Sequence, residues 1–178
     1  MAQLNYDDIF SGFLGNITDA KLASLSISDA ESLMIEYLHN AISNPYVVHL
    51  FESFAFDDEV HIFSFAMRLE VGEPFDSSFV CSVLSKQMVC EWLKPQVRST
   101  LNTLQVFGGK EQKWFSQAPH LAELQNLLTN TELDVRNMIR DRGFMWNSYL
   151  DNLNSNSDNS NSNSENSNSN SENQTNEV

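Results

Sequence analysis

The stretch that decides the fold is Asp76 to Val97, DSSFVCSVLSKQMVCEWLKPQV. Asp76, Ser77 and Ser78 are helix-starting residues, because short side-chain oxygens accept from the orphan N–H groups of a first turn. Phe79, Val80, Val83, Leu84, Met88, Trp92 and Leu93 then recur at steps of three and four, which places them on one broad helical face. At Lys94-Pro95 the helix is expected to stop or kink, since proline lacks the N–H and crowds the preceding turn. An apolar helix of about four turns predicts the centre of a small, mainly α core.

The flanking sequence supplies partners for that helix. Asn5 to Ile17 reads as a short helix with Ile9, Phe10, Phe13 and Leu14 on one face and Gly15 as a left-handed cap. Ser28 to Ser43 follows a capping box, Ser28-Asp29-Ala30-Glu31, and carries Ala30, Leu33, Met34, Tyr37, Leu38, Ala41 and Ile42 as its buried stripe. After Pro95 the helical pattern resumes through Val97, Leu101 and Leu104, and Phe107-Gly108-Gly109 closes it. Lys110 to Gln117 reads as a loop. A last helix is expected to start at Ala118-Pro119, with Leu121, Leu124, Leu128, Val135, Met138 and Ile139 inward and Gly143 as its cap.

Residues 46 to 71 break the helical rhythm. Phe63, Phe65, Met67, Leu69 and Val71 alternate with Ser64, Ala66, Arg68 and Glu70, the period of a half-buried strand. Val47 to Phe56 is also rich in β-formers, and Asp57-Asp58-Glu59 is the candidate turn. The segment therefore reads as an inserted β-hairpin or irregular arm, with a continuous buried helix as the competing reading. The fold expected is a bundle of about four helices carrying that arm, a single domain over residues 1–153. Residues 154–178 are almost pure Asn and Ser with no apolar residue before Val178, so they read as a disordered acidic tail.

The chain of 178 residues carries a net charge of −14, unevenly spread. Residues 1–76 hold 13 acids and two bases, residues 77–153 seven acids and eight bases, and the tail four acids and no base. An acidic front half argues against binding to DNA or to an anionic membrane, which needs clustered Lys and Arg. It fits a surface that repels phosphate or docks on a basic partner. No run approaches the length of a membrane span, and Met1 to Phe10 shows no secretory signal. Cys81 and Cys90 fall on opposite sides of one helix and read as reduced core-type thiols.

Catalytic signatures are missing. The histidines at 39, 49, 61 and 120 form no HExxH-like pair, and no cysteine stands at metal spacing. His49 and His61 would face each other across the hairpin, near Asp57, Asp58 and Glu59, but exposed strand histidines and a solvated turn are the commoner outcome of such a pattern. Gly108-Gly109-Lys110 lacks the upstream positions and trailing hydroxyl of a phosphate loop. The reading is of a protein that is not an enzyme and needs no cofactor or metal.

Glu91-Trp92-Leu93-Lys94-Pro95-Gln96-Val97, followed by Lys113-Trp114-Phe115-Ser116-Gln117-Ala118-Pro119-His120-Leu121, resembles a family of head–tail connector (neck or adaptor) proteins of tailed bacteriophages that infect Gram-positive bacteria. The family pattern is an EWLKP-like helix end, a short variable link and a Ser-x-Ala-x-His-Leu-x-x-Leu helix start. The resemblance covers about residues 76–143 and leaves the first 75 residues and the tail outside it. It implies a structural virion protein that forms a ring beneath the portal, a dodecamer by analogy. Such a ring extends the DNA channel without binding DNA specifically and docks the next neck or tail component. Its place would be the virion neck, after assembly in the host cytoplasm, with no membrane partner.

The interface candidates are Phe63, Phe65, Met67 and Leu69 on the arm, Lys94 and Gln96 at the helix break, and Phe144, Met145 and Trp146 beyond the last helix. The last three either fold back on the bundle or dock on a partner. A different reading, motivated by the acidic front half, is a small cytoplasmic binding protein, such as a phage-encoded inhibitor that imitates nucleic acid.

Overall fold

The computed structural model describes residues 1–106 and 111–161, with side chains at 1–19, 22–99 and 119–144. The chain divides into two units, Met1–Asp141 and Arg142–Val178. The described part is mainly helical with a small three-stranded antiparallel sheet, the class expected.

In the first unit, strand β1 (Ala2–Asn5) leads into α1 (Tyr6–Leu14), then α2 (Ala20–Ala23), α3 (Ile27–Ile42) and α4 (Pro45–Val48). Strands β2 (Phe51–Asp57) and β3 (Ile62–Met67) form the expected hairpin, and α5 (Glu73–Val106) and α6 (Glu111–Asn161) complete the order. The sheet order is β1-β3-β2. The hairpin is thus no appendage, because its second strand lies in the middle of the sheet. Ala2 and Leu4 pair with Phe65 and Phe63 on one side, and Phe54 and Phe56 pair with the same residues on the other. Strand β1 has no sequence signal of its own: four residues are too few to display a period.

Register explains the aromatic core. A bulge between Phe51 and Ser53 inserts one residue, which turns Phe51 to the same face as Phe54 and Phe56. Phe51 then meets Phe63 and Phe65 edge-on at 5.6 and 5.8 Å. Five phenylalanines line this face, and the opposite face carries Gln3, Ser53, Ala55, Ser64 and Ala66. Phe63, Phe65 and Met67 are buried with α1 and α5 side chains in one hydrophobic cluster. The arm expected to carry an interface therefore packs into the core of its own chain. An isolated hairpin is marginal in water, and the bundle itself supplies the covering surface.

Helix α5 is the spine. Val80, Val83, Leu84, Met88, Leu93 and Val97 are buried along it, and from Gln87 to Cys90 it is buried all round. At Pro95, where a stop or a kink is expected, the helix does not stop. Proline removes one backbone bond, but buried Leu93 and Val97 on either side hold the chain helical across the gap. Helix α1 crosses α5 closely at Gly12. A Cβ there would overlap the Ser85 hydroxyl, which donates to the Ile9 carbonyl at 2.9 Å and the Cys81 carbonyl at 2.7 Å.

Several ends differ from the sequence reading. Ser26, not Ser28, caps α3: its hydroxyl accepts from Asp29 N at 3.1 Å and donates to the Asp29 carboxylate at 2.6 Å. Both serines have an acid three residues on, so the pattern alone did not choose between them. Gly15 ends α1 in a right-handed conformation. Helix α5 begins at Glu73, with Pro74 in its first turn. Helix α6 begins at Glu111, because Glu111, Gln112 and Lys113 are good helix formers. It passes Gly143 and enters the Asn/Ser stretch as far as Asn161, since extending a helix needs no new nucleus even through weak formers. Residues 107–110 and 162–178 lie outside the described residues, and with them the Gly108-Gly109-Lys110 reading and most of the tail.

Candidate docking groove

The sequence places Asp19 just ahead of α2, where a short carboxylate caps a helix start. Its Oδ1 accepts from Leu22 N at 3.3 Å, and its Oδ2 accepts from the Trp92 indole N–H at 2.7 Å. One carboxylate thus ties α2 to the spine helix. The residues around this bond leave an open groove of about 470 Å³. Leu22 and Leu25 form one wall, Leu33 and Tyr37 of α3 the second, and Trp92, Pro95 and Gln96 of α5 the third. The sequence reading placed Trp92 in the core; it is half-buried, packed against the core cluster, and also lines this groove. Its volume lies in the range of ligand pockets, and its lining is mostly apolar.

The Asp19 carboxylate and the Gln96 amide N–H are engaged within the chain. Gln96 donates to the Trp92 carbonyl at 3.3 Å. Burial pushes the Tyr37 phenol upward, and the charges of Asp19 and Glu36 add to that, so Tyr37 lines the groove as a neutral phenol. Among the described residues, no nucleophile and base converge on it.

The other sequence candidates fall as follows. Lys94 reaches back to Glu91 at 2.6 Å, and Glu91 also accepts from buried Gln87 at 3.1 Å. The lysine is therefore committed to an ion pair within α5. Leu69 is exposed in the connector between β3 and α5. Phe144 is 76% exposed in the second unit. The side chains of Met145 and Trp146 lie outside the described residues. Cys81 and Cys90 are both free thiols, and burial pushes the Cys90 thiol up to about 12.

The histidine pair does not assemble. His49 caps the short helix α4 before β2, whereas His61 closes the turn before β3. The hairpin register puts these at opposite ends, roughly 20 Å apart at the usual strand rise. Among the described residues, no group of three His, Cys, Asp or Glu could hold a metal ion.

A polar cluster that the sequence did not announce holds the hairpin tip. The hydroxyl of buried Tyr6 donates to Asp58 Oδ1 at 2.6 Å, and His39 Nε2 lies 3.1 Å from the same oxygen. His61 stacks on the Tyr6 ring at 5.6 Å and lies 3.4 Å from Glu31. His61 has a φ of 56°, a left-handed conformation uncommon outside glycine. Asp57 accepts from Glu59 N and Val60 N, both at 3.3 Å, and so closes the turn. The cluster fastens the tip to α1 and α3.

Comparison with protein-family models, curated proteins and solved structures finds no match to this chain. Within the described residues no helix is long and apolar enough to cross a membrane.

Proposed function

We propose that the protein is a non-enzymatic adaptor of a tailed phage, forming a ring beneath the portal that extends the DNA channel and receives the next neck component. The resemblance of Glu91–Val97 and Lys113–Leu121 to the connector family motivates this reading. The observation that carries it is the groove: Trp92, Pro95 and Gln96, all from the first motif, form one wall of it. Its occupant is an apolar segment of the portal, because the lining is mostly apolar and the Asp19 carboxylate is already held by Trp92. The acidic front half, −11 over residues 1–76, supports passage of DNA without adhesion.

Leu25 forms part of the groove wall and is 42% exposed, so a charge placed there blocks the groove and leaves the core intact. Leu25→Arg is expected to keep the helical circular dichroism and to lose co-sedimentation with portal rings. Full co-sedimentation of Leu25→Arg would remove the groove from the interface.

A further inference from the structure

The connector from β3 and the first turn of α5 expose apolar side chains on a hydrogen-bonded backbone. Leu69 is 45% exposed, Val71 43% and Phe75 69%. Loops with apolar tips are costly to order on binding, and backbone hydrogen bonds to a buried carboxylate reduce that cost here. The buried Asp76 carboxylate accepts from Val71 N at 3.3 and 3.2 Å and from Gly72 N at 3.3 Å. The Gly72 carbonyl accepts from Phe75 N at 3.0 Å and Asp76 N at 2.9 Å. Gly72 itself has a φ of 150°, a conformation side chains rarely adopt. A buried carboxylate and a specialised glycine therefore hold three apolar groups outward. Apolar anchors presented in a fixed geometry are the pattern of a binding surface.

The charge around these residues indicates what binds. Glu70 and Glu73 are exposed between the apolar groups. Beside them a notch of about 200 Å³ is lined by Met1, Ala2, Glu70, Gly72, Glu73 and Asp76. We infer that residues 69–75 with this notch form a docking surface for a segment of another protein that carries Lys or Arg among apolar residues. The apolar groups seat on Leu69, Val71 and Phe75, and the cation enters between Glu70 and Glu73. Four of the described cations, Lys86, Lys94, Arg136 and Arg140, already lie against carboxylates of their own chain, which favours a cation from a different protein. This surface is separate from the Trp92 groove and does not depend on the portal reading.

The probes are two short amphipathic peptides with equal leucine content, one built with lysine and one with glutamate. Amide chemical shifts of the full chain report where each binds. The lysine peptide is expected to perturb the amides of residues 68–76. Its affinity should fall at least about tenfold between roughly 0.05 and 0.5 M salt, as a partly exposed charge contact is screened. Val71→Ser with Phe75→Ser should abolish the response, and Glu70→Gln with Glu73→Gln should weaken it and remove its salt dependence. All four positions are exposed, so the variants keep the fold. Equal binding of both peptides, or shifts elsewhere that survive Val71→Ser with Phe75→Ser, would overturn the assignment. Portal binding by the same variants is a separate readout: its failure in the wild type would sink the adaptor reading and leave this surface standing.

Discussion

The indole N–H of Trp92 donates to the Asp19 carboxylate across 2.7 Å, joining residues 73 positions apart in the chain. The bond closes the floor of the groove and fixes α2, an element of only four residues, against the spine. Trp92→Phe keeps most of the ring area but leaves Asp19 without this donor. The expected cost is about 1–3 kcal/mol, that of a hydrogen bond to a charged group. Thermal or denaturant unfolding checks this. An unchanged midpoint would mean that water replaces the indole without loss.

The buried phenylalanines make a second, sharper case. Phe63 and Phe65 are 0% and 1% exposed, in the middle strand of the sheet. Phe63→Ala or Phe65→Ala should cost about 3–5 kcal/mol, the usual range for emptying a core aromatic site. Urea unfolding followed by circular dichroism gives the number. Variants with wild-type stability that fail to join a portal ring would return these residues to the interface.

Stability should also depend on pH through the hairpin tip. The Tyr6 hydroxyl, and less strongly His39, hold the Asp58 carboxyl below its usual range, against an opposing effect of burial. A depressed carboxyl contributes stability above its unfolded value of about 4, and the contribution is lost as pH falls through the folded value. Tyr6 moves the other way: burial first, then the bond and charge of Asp58, raise its phenol well above 10. Its contribution is complete below about pH 10 and is lost as pH rises beyond that. The stability gap between wild type and Asp58→Asn should therefore be widest between roughly pH 5 and 9 and narrow on the acid side. Denaturant midpoints across pH measure it. A gap constant from about pH 3 to 7 would show that Asp58 does not act through its charge.

The sequence made the helices legible because their buried faces repeat over several turns. Phe79 through Leu93 names the spine, and Leu33 through Ile42 names the helix beside it. The hairpin was legible from the alternation of Phe63, Phe65 and Met67. Its place was not. Strand β1 is four residues long, and only its pairing with β3 turns an apparent arm into the middle of a sheet. At Pro95 a local rule allows a stop or a kink, and burial of Leu93 and Val97 on either side decides against the stop.

The groove was half legible. Trp92, Pro95 and Gln96 stand together in the motif, but Asp19, Leu22 and Leu33 reach them only through the packing of α2 and α3. The Tyr6–Asp58–His39 cluster joins three separate elements and had no local signal at all.

The adaptor reading makes one demand that no other reading shares. Mass measurement of portal rings with and without the purified full chain tests it directly. The account predicts that each ring gains a whole-number multiple of the 20.2 kDa chain, one copy per portal subunit. Portal rings of unchanged mass beside a free 20.2 kDa monomer would contradict it.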